Sequence, residues 1–411
     1  MQKIKQIGCI ILIVIVLLLQ TKITYADDTD EEEWQENEIQ QIVVETAGET
    51  VDEPVINSRA AVIYDRETKQ VLWGKKETQK RAMASTTKIM TAIVVLENAN
   101  LSDVVTVSKK AANTGGSCLH INAGDKITVL HLLYGLLLRS GNDSAVALAE
   151  YVGGNVEGFA ELMNQKAKEL NLENTHFVTP HGLDDENHYT TAYELALLTD
   201  YALENETFKN IVASKTATIS INGIARVLYN TNELLGNLSG VDGVKTGFTG
   251  NAGRCLVTST TRNGKQIIVV VLGADTKKQR TQDSIKLIEY AFENFETIDL
   301  KTKIEKEFEK WKQINQKRIY IYKAKNNQVE LVLGNIEKEI LSIEIGEEDK
   351  IELQFHCIYQ HEAPVERNAK IGNIIVRYND EIIEYIDIFL KNTVERKDIW
   401  SYIQEFLDVL P

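Results

Sequence analysis

The sequence predicts an α+β protein: a helix-covered antiparallel sheet assembled from both ends of one domain, followed by a small all-β domain. Two patterns carry this. β-type alternation near Ala60 returns only in the stretch around Gly253, and helical periodicity fills the interval, so the two ends of that region are natural partners in one sheet. Beyond a Lys/Glu-rich stretch, short alternating strands recur from Arg318 to Leu390. Size agrees, because 411 residues exceed what one core commonly serves. With 43% apolar and 26% charged residues, and only 4 Pro, the composition excludes a disordered, collagen-like or low-complexity chain.

At the N-terminus, Lys3 and Lys5 precede an apolar run of 13 residues, Ile7 to Leu19. That is short for a membrane span and suits a signal-peptide core. Thr24-Tyr25-Ala26 supplies a small-x-small cleavage site, so residues 1–26 read as a signal peptide, with an uncleaved anchor as the alternative. No Leu-x-x-Cys pattern is present, and Cys9 lies too early to be lipidated after processing. Cleavage removes three lysines and no acid, taking the net charge from −15 to −18. Such an acidic chain excludes a nucleic-acid partner, because phosphate neutralisation needs a basic surface. The 4 cysteines are too few for a disulfide scaffold, and Cys118, Cys255 and Cys357 match no zinc spacing. Residues 27–56 read as an acidic linker around Asp30-Glu31-Glu32-Glu33; the alternative, calcium binding, lacks the glycine and alternation of a calcium loop.

The main domain is expected over residues 57–298. Ala60 to Tyr64 and Gln70 to Trp73 flank a polar turn as a hairpin. Ala84 to Glu97 is too apolar all round for a surface helix and reads as buried. Ile127 to Leu138, Asp143 to Tyr151, Val156 to Leu170 and Tyr193 to Leu203 follow as helices. Gly253 to Thr261 and Gln266 to Gly273 form a second hairpin around Asn263-Gly264, and Ser284 to Phe295 closes the domain as an amphipathic helix. Residues 299–315 read as a linker, 316–392 as a small β-sandwich-like domain, and 393–411 as a terminal amphipathic helix. On that helix Ile399, Trp400, Ile403, Phe406, Leu407 and Leu410 share a face, which suits peripheral membrane contact. Glu405 and Asp408 make its polar face acidic, and docking on the β domain is the competing reading.

Three short motifs carry chemistry. Ser85-Thr86-Thr87-Lys88 opens the buried helix. Its i, i+3 spacing puts Ser85 and Lys88 on one face. The helix N-terminus offers N–H groups and partial positive charge to a developing oxyanion. A desolvated lysine serves as base for the hydroxyl, because burial disfavours its charged form. By itself Ser-x-x-Lys is weak: about one is expected by chance at this length, and Ser85 would equally serve as an N-cap. Ser140-Gly141-Asn142 must form a tight loop between helices, where Ser140 would relay a proton and Asn142 would hold Lys88 and a substrate carbonyl. Its plainer reading is a cap and turn. Lys245-Thr246-Gly247 lies on a strand; there Lys245 and Thr246 would bind a carboxylate while Gly247 lets another backbone approach. A Gly-broken strand end with a solvated lysine is the alternative. His176, His181 and His188 fit no helical zinc motif and read as structural.

In this order, and each in the element its chemistry requires, the three motifs match the set of the active-site-serine β-lactamases and penicillin-binding proteins. The chain resembles the serine D-alanyl-D-alanine carboxypeptidases, the low-molecular-mass penicillin-binding proteins. The segments Leu137 to Glu150, His176 to Asp184, Thr191 to Ala196 and Val241 to Thr249 carry the likeness, which runs from Ala60 to Phe295. The Ser-Gly-Asn form points to the carboxypeptidases rather than the lactamases. The resemblance implies Ser85 as acylated nucleophile, Lys88 as its base, Ser140 and Asn142 as the proton and substrate network, and Lys245, Thr246 and Gly247 at the substrate's carboxylate end. The backbone N–H groups of Ser85 and Phe248 would form an oxyanion hole. It further implies acylation without metal or cofactor, a peptidoglycan stem-peptide substrate, β-lactam inhibitors and a place in the cell envelope. Met83 replaces a common proline, and Phe248 stands where some members carry histidine. Two other functions compete: a β-lactamase, for which Glu173 and Glu186 lie in no Glu-x-x-Asn loop, and a catalytically silent wall-binding protein, against which the intact motifs argue.

Overall fold

The computed structural model describes residues 39–42 and 53–408. The expected signal peptide 1–26, with its expected cleavage site, and most of the expected acidic linker 27–56 lie outside the described residues. The chain divides into two compact units, Met1–Ala291 and Phe292–Pro411.

In the first unit, β1 (Ala60–Asp65) and β2 (Gln70–Lys75) form the first hairpin. A 3₁₀ turn, Ala84–Thr87, leads into α1 (Lys88–Asn98). Then come β3 (Val104–Thr106), α2 (Lys109–Ala112) and β4 (Lys126–Thr128), with β3 paired to β4. The helical stretch follows: α3 (Val129–Leu138), α4 (Asn142–Gly153), α5 (Val156–Glu169), α6 (Ala192–Ala202) and α7 (Glu206–Val212). Side-chain oxygens of Thr128, Asn155, Thr191 and Asn205 cap four of these helices. The expected helix from Ile127 starts two residues later, because Lys126 to Thr128 is first used as a strand. A hairpin of β5 (Thr216–Ile221) and β6 (Ile224–Tyr229) precedes β7 (Val241–Thr249), β8 (Gly253–Arg262), β9 (Lys265–Ala274) and α8 (Lys277–Asn294).

The main sheet has five strands in the order β2-β1-β9-β8-β7, all antiparallel. β1 thus lies beside β9, with Val62 opposite Val270, so the domain's two ends do share one sheet. Its central strands are buried along almost their whole length, which is why they read as unbroken apolar runs. α1 runs through the core: Ile89, Met90, Ile93 and Val95 are all fully buried. β7 is the edge strand next to the 3₁₀ turn.

The second unit holds β10 (Phe295–Asp299), α9 (Leu300–Asn315), β11 (Tyr320–Tyr322), β12 (Leu331–Leu333), β13 (Ile340–Glu344), β14 (Ile351–Cys357), β15 (Gln360–Glu362), β16 (Lys370–Tyr378), β17 (Glu381–Leu390) and α10 (Ile399–Asp408). Its largest sheet has four strands in the order β12-β17-β16-β14. Two readings need correction. Residues 299–315 are no linker: Asp299 caps α9, whose Leu300, Ile304 and Phe308 are buried in the second core while Trp311 stacks on Phe355 at 5.1 Å. One narrow stripe suffices to dock this helix, so its composition stays dominated by Lys and Glu. The terminal helix begins at Ile399, not 393, because Val394 is buried and exchanges backbone hydrogen bonds with Val365. Trp400 and Phe406 on that helix are 73% and 68% exposed. No helix among the described residues is long and apolar enough to cross a membrane.

Candidate active site

The 3₁₀ turn sets Ser85 one turn ahead of Lys88. Lys88 is 0% exposed, and its Nζ lies 2.7 Å from Ser85 Oγ, 2.8 Å from Asn142 Oδ1 and 2.9 Å from the carbonyl of His181. Ser85 itself is partly exposed, so a substrate can reach the hydroxyl while its amine partner stays dry. Ser85 is not the helix cap; Thr87 holds that position. As an ammonium, Lys88 donates to all three oxygens; as an amine it accepts from the Ser85 hydroxyl through its lone pair. The same contact therefore serves both ends of a proton transfer.

Asn142 is fixed by a second set of bonds. Its backbone N–H donates to Ser117 O at 2.7 Å and its Nδ2 to Gly115 O at 2.7 Å, so the amide oxygen must face Lys88. Gly116 is required there: it has φ +84°, and a Cβ would sit 2.6 Å from Asn142 Nδ2. The preceding turn places buried Ser140 at φ +59°, a left-handed conformation unusual for serine. Asp143 braces the facing segment by accepting from Leu119 N and Ile121 N.

β7 brings the third motif. Lys245 and Thr246 are both 1% exposed, because both faces of the strand are covered here. Lys245 Nζ donates to Thr246 O at 2.9 Å. The Thr246 hydroxyl lies 2.8 Å from that of Thr231. A Cβ on Gly247 would meet Ser85 N at 3.0 Å and Thr86 N at 3.1 Å, so the missing side chain lets β7 close against the nucleophile's backbone. The Phe248 ring rests on the Arg254 guanidinium, 3.7 Å from its centre.

Residues 176–188 form the floor of the site. Gly182, at φ +85°, packs so tightly that a Cβ would fall 1.9 Å from Ala84 O. Thr91 Oγ1 donates to Pro180 O at 2.6 Å, and Thr249 Oγ1 donates to Asp184. His188 Nδ1 accepts from Val178 N at 2.9 Å. Its other nitrogen therefore carries the hydrogen and donates to Thr87 Oγ1 at 2.7 Å, which in turn donates to Ala84 O. Burial pushes the His188 imidazole down to about 4, and burial beside the Lys88 ammonium also lowers His181. Both rings are thus neutral supports. His176 Nδ1 bonds Asn187 O instead, and the three histidines do not converge.

The structure thus gathers Ser85, Lys88, Asn142 and Gly247 from distant parts of the chain at one place, with Lys245 and Thr246 on the same strand as Gly247. The sequence reading left Gly116, Thr87, Gly182 and His188 without a role at the site. A histidine inside the polar segment after α5 was the visible signal, but its partners are backbone groups that no motif encodes.

A family profile described as D-alanyl-D-alanine carboxypeptidase matches residues 47–276. A second, described as penicillin-binding protein 5, C-terminal domain, matches residues 299–396. The chain is 31% identical over 364 residues to the D-alanyl-D-alanine carboxypeptidase DacF of Bacillus subtilis, covering 87% of this chain and 91% of that one. It is 34% identical to DacC of Escherichia coli over 88% and 90% of the two chains. Among solved structures, the carboxypeptidase DacD of Francisella tularensis superposes with a TM-score of 0.67 at 27% identity, over 85% of this chain and 97% of that one. Penicillin-binding protein 5 of Haemophilus influenzae gives 0.65 at 29%, over 84% and 100%. The fold, the serine–lysine pair and these matches agree: the chain belongs to the D-alanyl-D-alanine carboxypeptidase family, serine-type peptidases of the hydrolase class.

Proposed function

We propose that Ser85 attacks the carbonyl between the two terminal D-alanines of a peptidoglycan stem peptide. The observation that carries this is Lys88 Nζ at 2.7 Å from Ser85 Oγ, held from behind by Asn142 and His181. The hydroxyl proton passes to Lys88 as the new C–O bond forms. The oxyanion is taken by the backbone N–H groups of Ser85 and Phe248, a reading supported by Gly247 packing on Ser85 N. A proton returned through Lys88 and Ser140 lets the terminal D-alanine leave as a neutral amine. Water then hydrolyses the ester and restores Ser85. Lys245 and Thr246 bind the departing carboxylate. A β-lactam, whose ring amide mimics the scissile bond, acylates the same Ser85. The acidic mature chain works outside the cytoplasm after loss of residues 1–26.

Fluorescent penicillin should label the protein and fail to label Ser85→Ala, and only the unmodified chain should release D-alanine from a pentapeptide. Rapid turnover of a chromogenic β-lactam without D-alanine release would instead favour a β-lactamase. The exposed apolar face of α10, with Trp400 and Phe406, further supports contact with a membrane surface. Vesicle flotation of the mature chain against one ending at Lys397, which keeps the buried Val394 and removes α10, tests this; equal partition removes it.

A further inference from the structure

We propose that Asp184 is a positioning residue for the oxyanion hole: its carboxylate clamps the end of β7 so that the Phe248 N–H stays aimed at the substrate's carbonyl oxygen. This deepens the reading above and rests on it. Four consecutive residues of the floor each meet a different wall of the site. His181 O accepts from Lys88 Nζ at 2.9 Å. Gly182 packs on Ala84 O and Thr87 Oγ1, where a Cβ would fall 1.9 and 2.5 Å away. The Leu183 side chain reaches within 3.9 Å of the Cβ position of Gly116, beside Asn142. Asp184 then turns to β7: its Oδ1 accepts from Thr249 Oγ1 at 2.5 Å and its Oδ2 from Asn251 N at 3.4 Å. The first three contacts use a backbone carbonyl, a missing side chain and an apolar one. Asp184 makes its link with a charged group.

Thr249 directly follows Phe248 and is buried. Its hydroxyl accepts from Ala252 N at 3.1 Å, so its own hydrogen is left for Asp184, and a hydroxyl on a carboxylate makes a short, strong bond. Pairing with β8 holds β7 along one side, with Gly247 opposite Cys255 and Thr249 opposite Gly253. β7 is the edge of the sheet, so no strand holds its other side. Gly247 already leaves no room for a closer approach to Ser85 N. That contact stops β7 from moving inward but does nothing to stop it from moving away. Asp184 supplies the missing restraint, because the floor it belongs to is anchored on the turn that carries Ser85 and Lys88. The N–H groups of Ser85 and Phe248 are thereby held at one spacing before charge develops between them, which is what an oxyanion needs.

Fluorescent penicillin reads both halves of the reaction. Its labelling rate at saturation reports acylation of Ser85, and loss of label reports hydrolysis of the ester. Each half builds an oxyanion on the same carbonyl carbon, so a misaimed Phe248 N–H slows both. Losing such a donor outright costs about 10²–10³-fold, and losing its aim should cost about 10-fold. Asp184→Ala and Thr249→Val should each slow labelling and release by that factor. Per site labelled at completion, kcat on a D-Ala-D-Ala peptide should fall likewise, with KM within about twofold. The double variant should be no slower than either single one, because both substitutions remove the same bond. Asp184→Asn keeps an acceptor oxygen and Thr249→Ser keeps the hydroxyl, so both should stay within about threefold on each rate. Unfolded enzyme takes no label and does not enter these rates. Asp184 does not aim the oxyanion donor if neither rate falls or only one does, if the single effects multiply in the double variant, or if KM rises at unchanged kcat. If the unmodified protein takes no penicillin and releases no D-alanine, the proposed function itself falls.

Discussion

The two units keep their ionisable groups in opposite places. The first buries Lys88, Asp143, Lys245, Arg254, Arg280 and Asp283, none more than 1% exposed. In the second, the buried polar side chains among the described residues are Asn315 and Ser342, neither of them ionisable. Its ion pairs, such as Lys323–Glu362 and Lys370–Asp387, stand in water. Burying a charge costs several kcal/mol unless it is paired and hydrogen-bonded, and an apolar core of equal volume is often at least as stable. A unit that accepts that cost throughout its interior is organised around chemistry that needs dry, oriented polar groups. A unit that avoids it is organised for packing.

The largest effect should come from breaking a buried pair. Arg280 and Glu233 are 1% and 6% exposed and in contact. Burial alone would raise the Glu233 carboxyl, but Arg280, Lys277 and Thr281 overcome this and hold it below the ordinary range. Arg280→Ala leaves that carboxylate buried without its main counter-charge and should cost about 3–5 kcal/mol, read as a loss in urea midpoint. A cost under about 1 kcal/mol would mean that the interior tolerates charge far better than this contrast requires.

How much of this was legible in the sequence follows the same divide. Ser85 and Lys88 could be read because one helical turn joins them, and the Asn263-Gly264 hairpin because both residues adopt positive φ, as that turn demands. The β5–β6 hairpin carries the same signal at Asn222-Gly223, again with positive φ at both, between Ile221 and Ile224. α9 was hidden because Leu300, Ile304 and Phe308 are sparse among Lys and Glu. The floor of the site was illegible for another reason: His181 contributes its backbone carbonyl, and any residue has one. Gly182 is read only once Ala84 O is known to lie against it.

A smaller effect, with a definite pH window, should come from His188. Its folded value of about 4 lies below the ordinary 6.5, so between those values the unfolded chain binds the proton and the folded one does not. Stability from this group is therefore complete above about pH 6.5 and is lost as pH falls toward 4. The depression amounts to roughly 3 kcal/mol in all. Protonation also removes the lone pair that accepts from Val178 N, loosening the floor under Ser85. The drop in Tm between pH 7 and pH 4.5 should be larger for the unmodified protein than for His188→Gln, and penicillin labelling should fall over the same range. Identical drops for the two proteins would show that His188 is not held neutral.

The smallest effect should come from the second unit's charges. Lys370 Nζ sits 2.6 Å from Asp387 Oδ1, a short contact, but the two side chains are 56% and 37% exposed. Water solvates both partners before and after the pair forms, and ordering two flexible side chains offsets most of the remaining attraction. Lys370→Met should therefore shift Tm by less than about 1 °C at 150 mM salt and leave penicillin labelling of Ser85 unchanged. The distance is about that of the contacts around Lys88, so the comparison holds geometry nearly constant and varies solvent. A shift approaching that of Arg280→Ala would mean that contact length rather than burial governs what an ion pair is worth in this chain, and the contrast between the two units would lose its physical basis.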